Sequence, residues 1–226
     1  MSGRAIVLEA PDLGCELIRL RRWQTADAPE LEKAWMDPAI LSDSVAPENR
    51  SLRDARKWIS RTDVRRRAGL ALDLVIADAG SDALLGEVGL YRLDKARRAA
   101  EMSWWLAAEA RGRGLATRAV NLLAAWALDG RLTAVLAEIK TSNVKSMELA
   151  ARCGFDLLRP ADDSNPAVFV RRAPGPSGRA SGAGESGSAG PSGRASGAGE
   201  SGSAGPTQRD EFEKSTGECR GAAEHA

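Results

Sequence analysis

The sequence predicts an α/β fold over roughly its first three quarters, followed by a tail with no core of its own. Three observations predict it. Short apolar runs with β-branched or alternating residues recur along the chain, separated by stretches with helical periodicity. Glycine, proline and aspartate clusters stand where these segments stop. From Gly175 to Pro206 hardly any residue is large enough to bury, so the 43% hydrophobic content of the 226 residues is concentrated ahead of it.

The elements follow in order. Leu17-Ile18-Arg19-Leu20 alternates enough for a half-buried first strand. Thr25-Ala26-Asp27 offers caps for a helix carrying Leu31, Ala34 and Trp35, which Asp37-Pro38 is expected to close. Ser51 caps a second helix with Leu52, Ala55 and Ile59 on one face and arginines opposite, ended by Gly69; the run Arg65-Arg66-Arg67 reads as a solvated face. Ala71 to Ala77 and Leu84 to Leu90 are strands joined by the turn cluster Ala79-Gly80-Ser81-Asp82, and Asp94 to Ala99 is a charged connection. Met102 to Leu106 is a third, tryptophan-rich strand. The helix from Leu115 to Leu128 places residues 115, 119, 122, 123 and 126 on one apolar face and stops at Asp129-Gly130. Ala134 to Ile139 is a strand, Asn143 to Arg152 a helix with Gly154 at its stop, and Phe155 to Leu158 and Ala167 to Arg171 complete the sheet.

A fifteen-residue Gly/Ser-rich unit beginning at Gly175 repeats unchanged from Gly190 to Ala204. It holds no apolar residue larger than alanine, so it cannot stack as a solenoid, and the tail is expected to be disordered. The net charge is +1, and the tail takes 5 basic and 7 acidic side chains, leaving a mildly basic +3 before it. That balance gives no reason to expect nucleic acid or an anionic membrane as a partner. Cys15, Cys153 and Cys219 lie far apart, without a CxxC pair, and no signal peptide or membrane-spanning run is present, so a reducing cytoplasm is expected. The one histidine, His225, is penultimate. A Ser-His-Asp triad, a Cys-His dyad or a His-ligated metal needs a histidine in a packed site, so no metal is expected and proton transfer falls to carboxylates, hydroxyls, thiols, Tyr91 or water.

The informative segment runs from a strand through Ala107-Ala108-Glu109-Ala110 and Arg111-Gly112-Arg113-Gly114-Leu115-Ala116-Thr117 into a helix. The first amides of a helix have no intrahelical acceptor and sit at the positive end of its dipole. Glycines at 112 and 114 let the chain turn tightly and keep side chains off those donors, so the turn suits a pyrophosphate, with Arg111 and Arg113 adding charge. Neither GxGxxG nor GxxxxGK[ST] is present.

In this order the segments resemble the GCN5-related N-acetyltransferase (GNAT) superfamily, whose signature [Gln/Arg]-x-x-Gly-x-[Gly/Ala] is met by Arg111, Gly114 and Ala116. Asn143-Val144-Lys145-Ser146 with Cys153-Gly154-Phe155 is similar to the ending of members like ribosomal-protein N-acetyltransferases, and so are Leu17 to Leu20 with Asp27 and Gly86-Glu87-Val88-Gly89-Leu90. The resemblance implies a strongly twisted, mostly antiparallel sheet with helices on both sides, an acetyltransferase domain over 14–172 and a disordered tail over 173–226. It also implies an acetyl-CoA site at Leu106, Arg111, Gly112, Arg113, Gly114, Leu115, Ala116, Thr117, Asn143 and Ser146, lying between splayed strands at 102–106 and 134–139.

The implied activity is direct attack of an amine on the thioester, with the Leu106 amide as oxyanion donor. Glu101 and Glu138 are the first candidates for general base and Glu87 the third; each also reads as a solvated strand-end carboxylate. Many members carry a tyrosine acid seven residues after the asparagine, where this chain has Ala150, which leaves Ser146 either to bond the sulfur or to cap its helix. Trp104 and Trp105 point to opposite faces, one to the core and the other as a wall of the acceptor cleft with Trp23, Trp35 or Trp58. The acceptor stays open between a protein N-terminal amine and a small amine or aminoglycoside. A catalytically dead CoA-binding sensor is the alternative of another class. Neither the acceptor nor the oligomeric state can be read from these residues.

Overall fold

Alternation of apolar and polar residues along each strand builds one sheet with two unequal faces. In the computed structural model, residues 8–41, 50–162 and 164–174 are described; the tail from 175 on, with its repeat, lies outside the described residues. The strands are β1 (Leu13–Gly14), β2 (Ile18–Arg21), β3 (Leu72–Asp78), β4 (Leu84–Asp94), β5 (Ala99–Leu106), β6 (Ala134–Ile139), β7 (Asp156–Arg159) and β8 (Ala167–Arg172). They form an eight-stranded sheet in the order β1-β2-β3-β4-β5-β6-β8-β7. Every pairing among them is antiparallel except β5 with β6. The helices are α1 (Ala28–Ala34), α2 (Pro38–Leu41), α3 (Leu52–Arg67), α4 (Leu115–Leu128) and α5 (Val144–Arg152).

Even-numbered positions of β3, β4 and β5 (Leu72, Leu74, Ile76, Val88, Leu90, Ala100, Met102) join Val135, Ala137 and Ile139 of β6 in the main core, against α4. On the opposite face Val75 and Ala77 pack with Trp23, Leu31, Trp35, Ala55 and Ile59 in a second core under α1 and α3. Leu8 is buried in the main core and β1 starts at Leu13, so ordered packing begins ahead of residue 14.

Several elements differ from the sequence expectation for identifiable reasons. Pro38 opens α2 rather than closing α1, because a proline's missing amide costs nothing at a first helical position, and the Asp37 carboxylate accepts from Ala39 N at 2.9 Å. The 94–99 connection is shorter than expected: β4 runs to Asp94 and β5 starts at Ala99, with Asp94 accepting from Arg97 N in the turn. On α4 the buried stripe is Leu115, Ala116, Ala119, Val120, Leu123, Ala124, Ala127 and Leu128, while Leu122 and Trp126 sit at its margin. Small alanines let the helix lie close on the sheet; Trp126 instead carries the Arg131 guanidinium 4.5 Å from its ring centre. Arg65 and Arg66 are half-buried rather than solvated, Arg65 reaching the buried Asp73 and Arg66 pairing with Asp63; of the three only Arg67, which also pairs with Asp63, is exposed.

Candidate active site

The sheet opens where β5 and β6 part. Their parallel register holds at Ala99↔Ala134, Ala100↔Val135 and Glu101↔Leu136 and goes no further, although β5 continues to Leu106 and β6 to Ile139. The backbone lining this gap follows from the other edge of β5. Ala107 N donates to Leu85 O at 2.9 Å, and β4 pairs with β5 in the same register from Leu106 back to Glu101. Antiparallel bonding alternates, so residues 101, 103 and 105 bond toward β4 while Trp104 and Leu106 turn their amides and carbonyls into the gap. The Leu106 amide therefore faces the gap rather than β4.

The gap ends on the glycine turn. Gly112 (φ 76°) and Gly114 (φ 71°) both occupy the left-handed region, and a Cβ on either meets only open space. Backbone conformation, rather than crowding, demands glycine there. Gly114 is the N-cap of α4, so the amides of Leu115, Ala116 and Thr117 face outward without intrahelical acceptors. The two arginines differ from one another. Arg113 is exposed, whereas Arg111 donates through Nε to Leu106 O at 3.0 Å and through a terminal nitrogen to Asp37 at 2.5 Å. Arg111, though exposed as well, thus braces the turn across its surface. Together with Lys33–Glu109 at 2.8 Å, it ties the α1–α2 region to residues 106–111.

The three candidate carboxylates share the face opposite α4, but they form two groups. Glu101 accepts from Arg92 at 2.8 Å, and Glu138 lies 3.6 Å from the same guanidinium. Burial raises the proton affinity of Glu101, and Arg92 works against that rise. Glu87 is 6% exposed and accepts from Trp105 Nε1 at 2.8 Å and from the Tyr91 hydroxyl at 2.9 Å. Burial, reinforced by the charge of Asp73, pushes its carboxyl up to about 7. Asp73, 4% exposed, is held by Arg65 at 2.9 Å; burial raises its proton affinity too, while Arg65 opposes the rise.

Ser103 and Asp73 are the residues the sequence reading missed. Ser103 is exposed in the middle of the sheet, between the half-buried Glu101 and Trp105, and so forms a floor open to a ligand. A polar residue at alternate spacing from Glu101 and Trp105 was the available signal. Trp105 packs on the second core with Trp58, and Trp104 packs on the main core. Trp23 and Trp35 are buried, each edge-on to Trp58 at 5.2 and 6.3 Å.

On the far side of the gap Asn143 is the N-cap of α5, its Oδ1 accepting from Ser146 N at 3.1 Å. The N-cap is therefore Asn143, and Ser146 lies inside the first turn of α5. Ala150, where many GNAT members have a tyrosine, is fully buried. Among the described residues no cluster of His, Cys, Asp or Glu is placed to hold a metal, and no helix is long and apolar enough to cross a membrane.

Comparison with known proteins adds to this geometry. A family model described as acetyltransferase (GNAT) domain matches residues 18–156. No curated protein matches the chain. Among solved structures, the microcin C7 self-immunity acetyltransferase MccE, in complex with acetyl-CoA and AMP, superposes with a TM-score of 0.62 at 23% identity, covering 70% of this chain and 93% of that one. The ribosomal-protein-S5-alanine acetyltransferase from Vibrio fischeri gives 0.62 at 18%, covering 72% and 97%. Mycobacterium smegmatis RimJ in complex with CoA-disulfide gives 0.61 at 18%, covering 73% and 88%.

Proposed function

Because the chain belongs to the GNAT acetyltransferase domain family, we propose that it moves the acetyl group of acetyl-CoA onto a primary amine by direct attack. The observation that carries this reading is the strand gap running from Glu101 to the left-handed glycines of the α4 turn. The helix amides at 115–117 and Arg113 receive the pyrophosphate, and the pantetheine arm lies along Trp104 and Leu106. Asn143 and Ser146 border the arm from α5.

In the reaction the amine nitrogen bonds to the thioester carbon, and the carbonyl oxygen takes the negative charge against the Leu106 amide. The carbon–sulfur bond then breaks and the thiolate leaves. The ammonium proton passes, through a water above Ser103, to Glu87. Burial and the charge of Asp73 raise its carboxyl to about 7 against the two hydrogen bonds it accepts, near the proton affinity that suits work at neutral pH, whereas Arg92 shares its charge between Glu101 and Glu138. This ordering reverses the one drawn from sequence.

A protein N-terminal amine is the favoured acceptor, because ribosomal-protein acetyltransferases recur among the structures of this fold and Ser103 is exposed beside Trp105. Thiol release from acetyl-CoA, measured with N-terminal peptides, small amines and aminoglycosides, tests the reading. Turnover with a peptide amine supports it. Turnover only with small amines moves the acceptor, and binding without turnover makes the chain a sensor. In Glu→Gln variants, kcat is expected to fall by about a hundredfold for Glu87 and by only a few-fold for Glu101 and Glu138.

A further inference from the structure

β4 carries an extra residue where it passes the open end of β5. Its pairing with β3 steps from Ile76↔Gly86 to Ala77↔Leu84, so Leu85 is a bulge on that edge. On the other edge the ladder to β5 runs regularly through the same point, with Gly86 opposite Leu106 and Ala107 N donating to Leu85 O at 2.9 Å. A bulge bends its strand and re-aims what lies beside it. At Gly86 the two strands come too close for a side chain. A Cβ there would run into the Trp105 carbonyl oxygen, and would stand 2.9 Å from Leu106 Cδ2 and 3.0 Å from Leu106 Cα. Gly86 is buried and its φ lies outside the left-handed region. Crowding rather than conformation demands glycine here, the reverse of Gly112 and Gly114.

The carbonyl that Gly86 accommodates is half of a larger rigid group. Trp105 C=O and Leu106 N–H belong to one planar trans peptide, and they point in opposite directions. With the carbonyl directed at Gly86, the Leu106 amide is directed away from β4, into the gap between β5 and β6. The following peptide is held at both ends: Ala107 N bonds Leu85 O, and Leu106 O accepts from Arg111 Nε at 3.0 Å. Both peptide planes that meet at Leu106 are thus set by the bulged stretch of β4 on one side.

We propose that Gly86 is a positioning residue that aims the Leu106 amide at the thioester oxygen of acetyl-CoA. The proposal rests on the reading of that amide as the oxyanion donor. Gly86 touches neither the cofactor nor the reacting atoms; it acts through the Trp105–Leu106 peptide. A methyl at position 86 displaces the Trp105 oxygen, and because the peptide is planar the Leu106 N–H turns with it. A hydrogen bond weakens steeply once its donor angle falls. The substitution therefore spoils the bond without removing the donor. The helix amides at 115–117 belong to another element, so the pyrophosphate end of the site keeps its contacts.

The test is isotope-edited infrared difference spectroscopy of acetyl-CoA labelled with ¹³C at the acetyl carbonyl, bound to wild type and to Gly86→Ala, beside kcat and the acetyl-CoA Kd by calorimetry. In wild type the carbonyl stretch is expected below that of free acetyl-CoA, because an accepted hydrogen bond weakens the C=O bond. In Gly86→Ala the stretch returns toward the free value and kcat falls by about tenfold or more, while Kd changes by less than about threefold. Lost packing alone would lower Tm and leave the stretch where it was. A stretch that stays at the wild-type position in Gly86→Ala, or a kcat within about twofold of wild type, overturns the proposal. Should Gly86→Ala fail to fold, Gly86→Ala/Leu106→Ala, in which the Leu106 side chain no longer crowds the new methyl, is compared with Leu106→Ala alone; equal stretches in the two overturn it. If wild type itself shows no lowered stretch, the oxyanion reading of Leu106 fails first. If the stretch is lowered but no amine is acetylated, the acetyl-transfer reading fails, and the aiming role of Gly86 is decided by the stretch.

Discussion

Replacing Glu87 by glutamine should stabilise the protein at alkaline pH while leaving it unchanged in acid. The carboxyl titrates at about 7 in the fold against an ordinary value of 4.5. Between those two values the unfolded chain has already released this proton and the folded chain still holds it. The unfolded state therefore binds fewer protons, and stability falls as pH rises through the window. At roughly 1.4 kcal/mol per pH unit, the interval amounts to about 3 kcal/mol of lost stability by pH 8. Glutamine does not titrate and fits the same neighbours, its carbonyl accepting from Trp105 Nε1–H and its amide donating to the Tyr91 oxygen. Asp73 is the neighbour whose titration the change touches; without the adjacent charge it ionises more readily, which adds to the same sign. Urea unfolding of both proteins from pH 4.5 to 8 should give stability curves that coincide in acid and separate by about 3 kcal/mol at the alkaline end. Parallel curves would refute the claim that the buried cluster holds the Glu87 proton.

Three further outcomes follow from the site. Gly114→Ala places a side chain at a φ of 71° and a methyl in the open space over the helix amides; acetyl-CoA should bind at least about tenfold more weakly by calorimetry, while strain of about 1 kcal/mol lowers Tm by only about 2–4 °C. Asn143→Ala removes the α5 cap and should cost about 1 kcal/mol in thermal unfolding, whereas Ser146→Ala, which leaves that cap in place, should not shift Tm. Arg92→Ala removes the cation that works against Glu101's burial, so the Glu101 carboxyl should titrate higher by NMR; an unmoved acid limb in the kcat–pH profile would keep Glu101 out of the proton transfer.

How much of this was legible depended on whether a feature is contiguous in the chain. The glycine turn is seven consecutive residues, Arg111 to Thr117, and its glycines, helix start and charge could all be read in place. The direction of Arg111 could not, because its partner Asp37 lies 74 residues away. On α4 the sequence shows Leu122 and Trp126 on the apolar face, where they pack at the margin of the core, but not how much of the contact Ala116, Ala119, Ala124 and Ala127 make. Asp73 gave no signal by itself: a lone acid in an apolar run shows no partner until Arg65 is seen to meet it.

The polar row on β3, β4 and β5 belongs to this second kind, and the pattern that places it lies in the opposite face of the sheet. Asp73, Glu87, Tyr91 and Ser103 come from three strands and share a face only because Leu72, Leu74, Ile76, Val88, Leu90 and Met102 occupy the other. A slip of one residue in β4 would turn Glu87 and Tyr91 into the α4 core and bring Val88 and Leu90 out under α3. Burying those two polar side chains against α4 without their present partners costs several kcal/mol, roughly 1–3 for each unsatisfied group. The apolar even positions therefore set the register, and the register in turn assembles the polar row. The same packing that stabilises the sheet also sets Glu87 beside Trp105 and Tyr91, the two groups that donate to it.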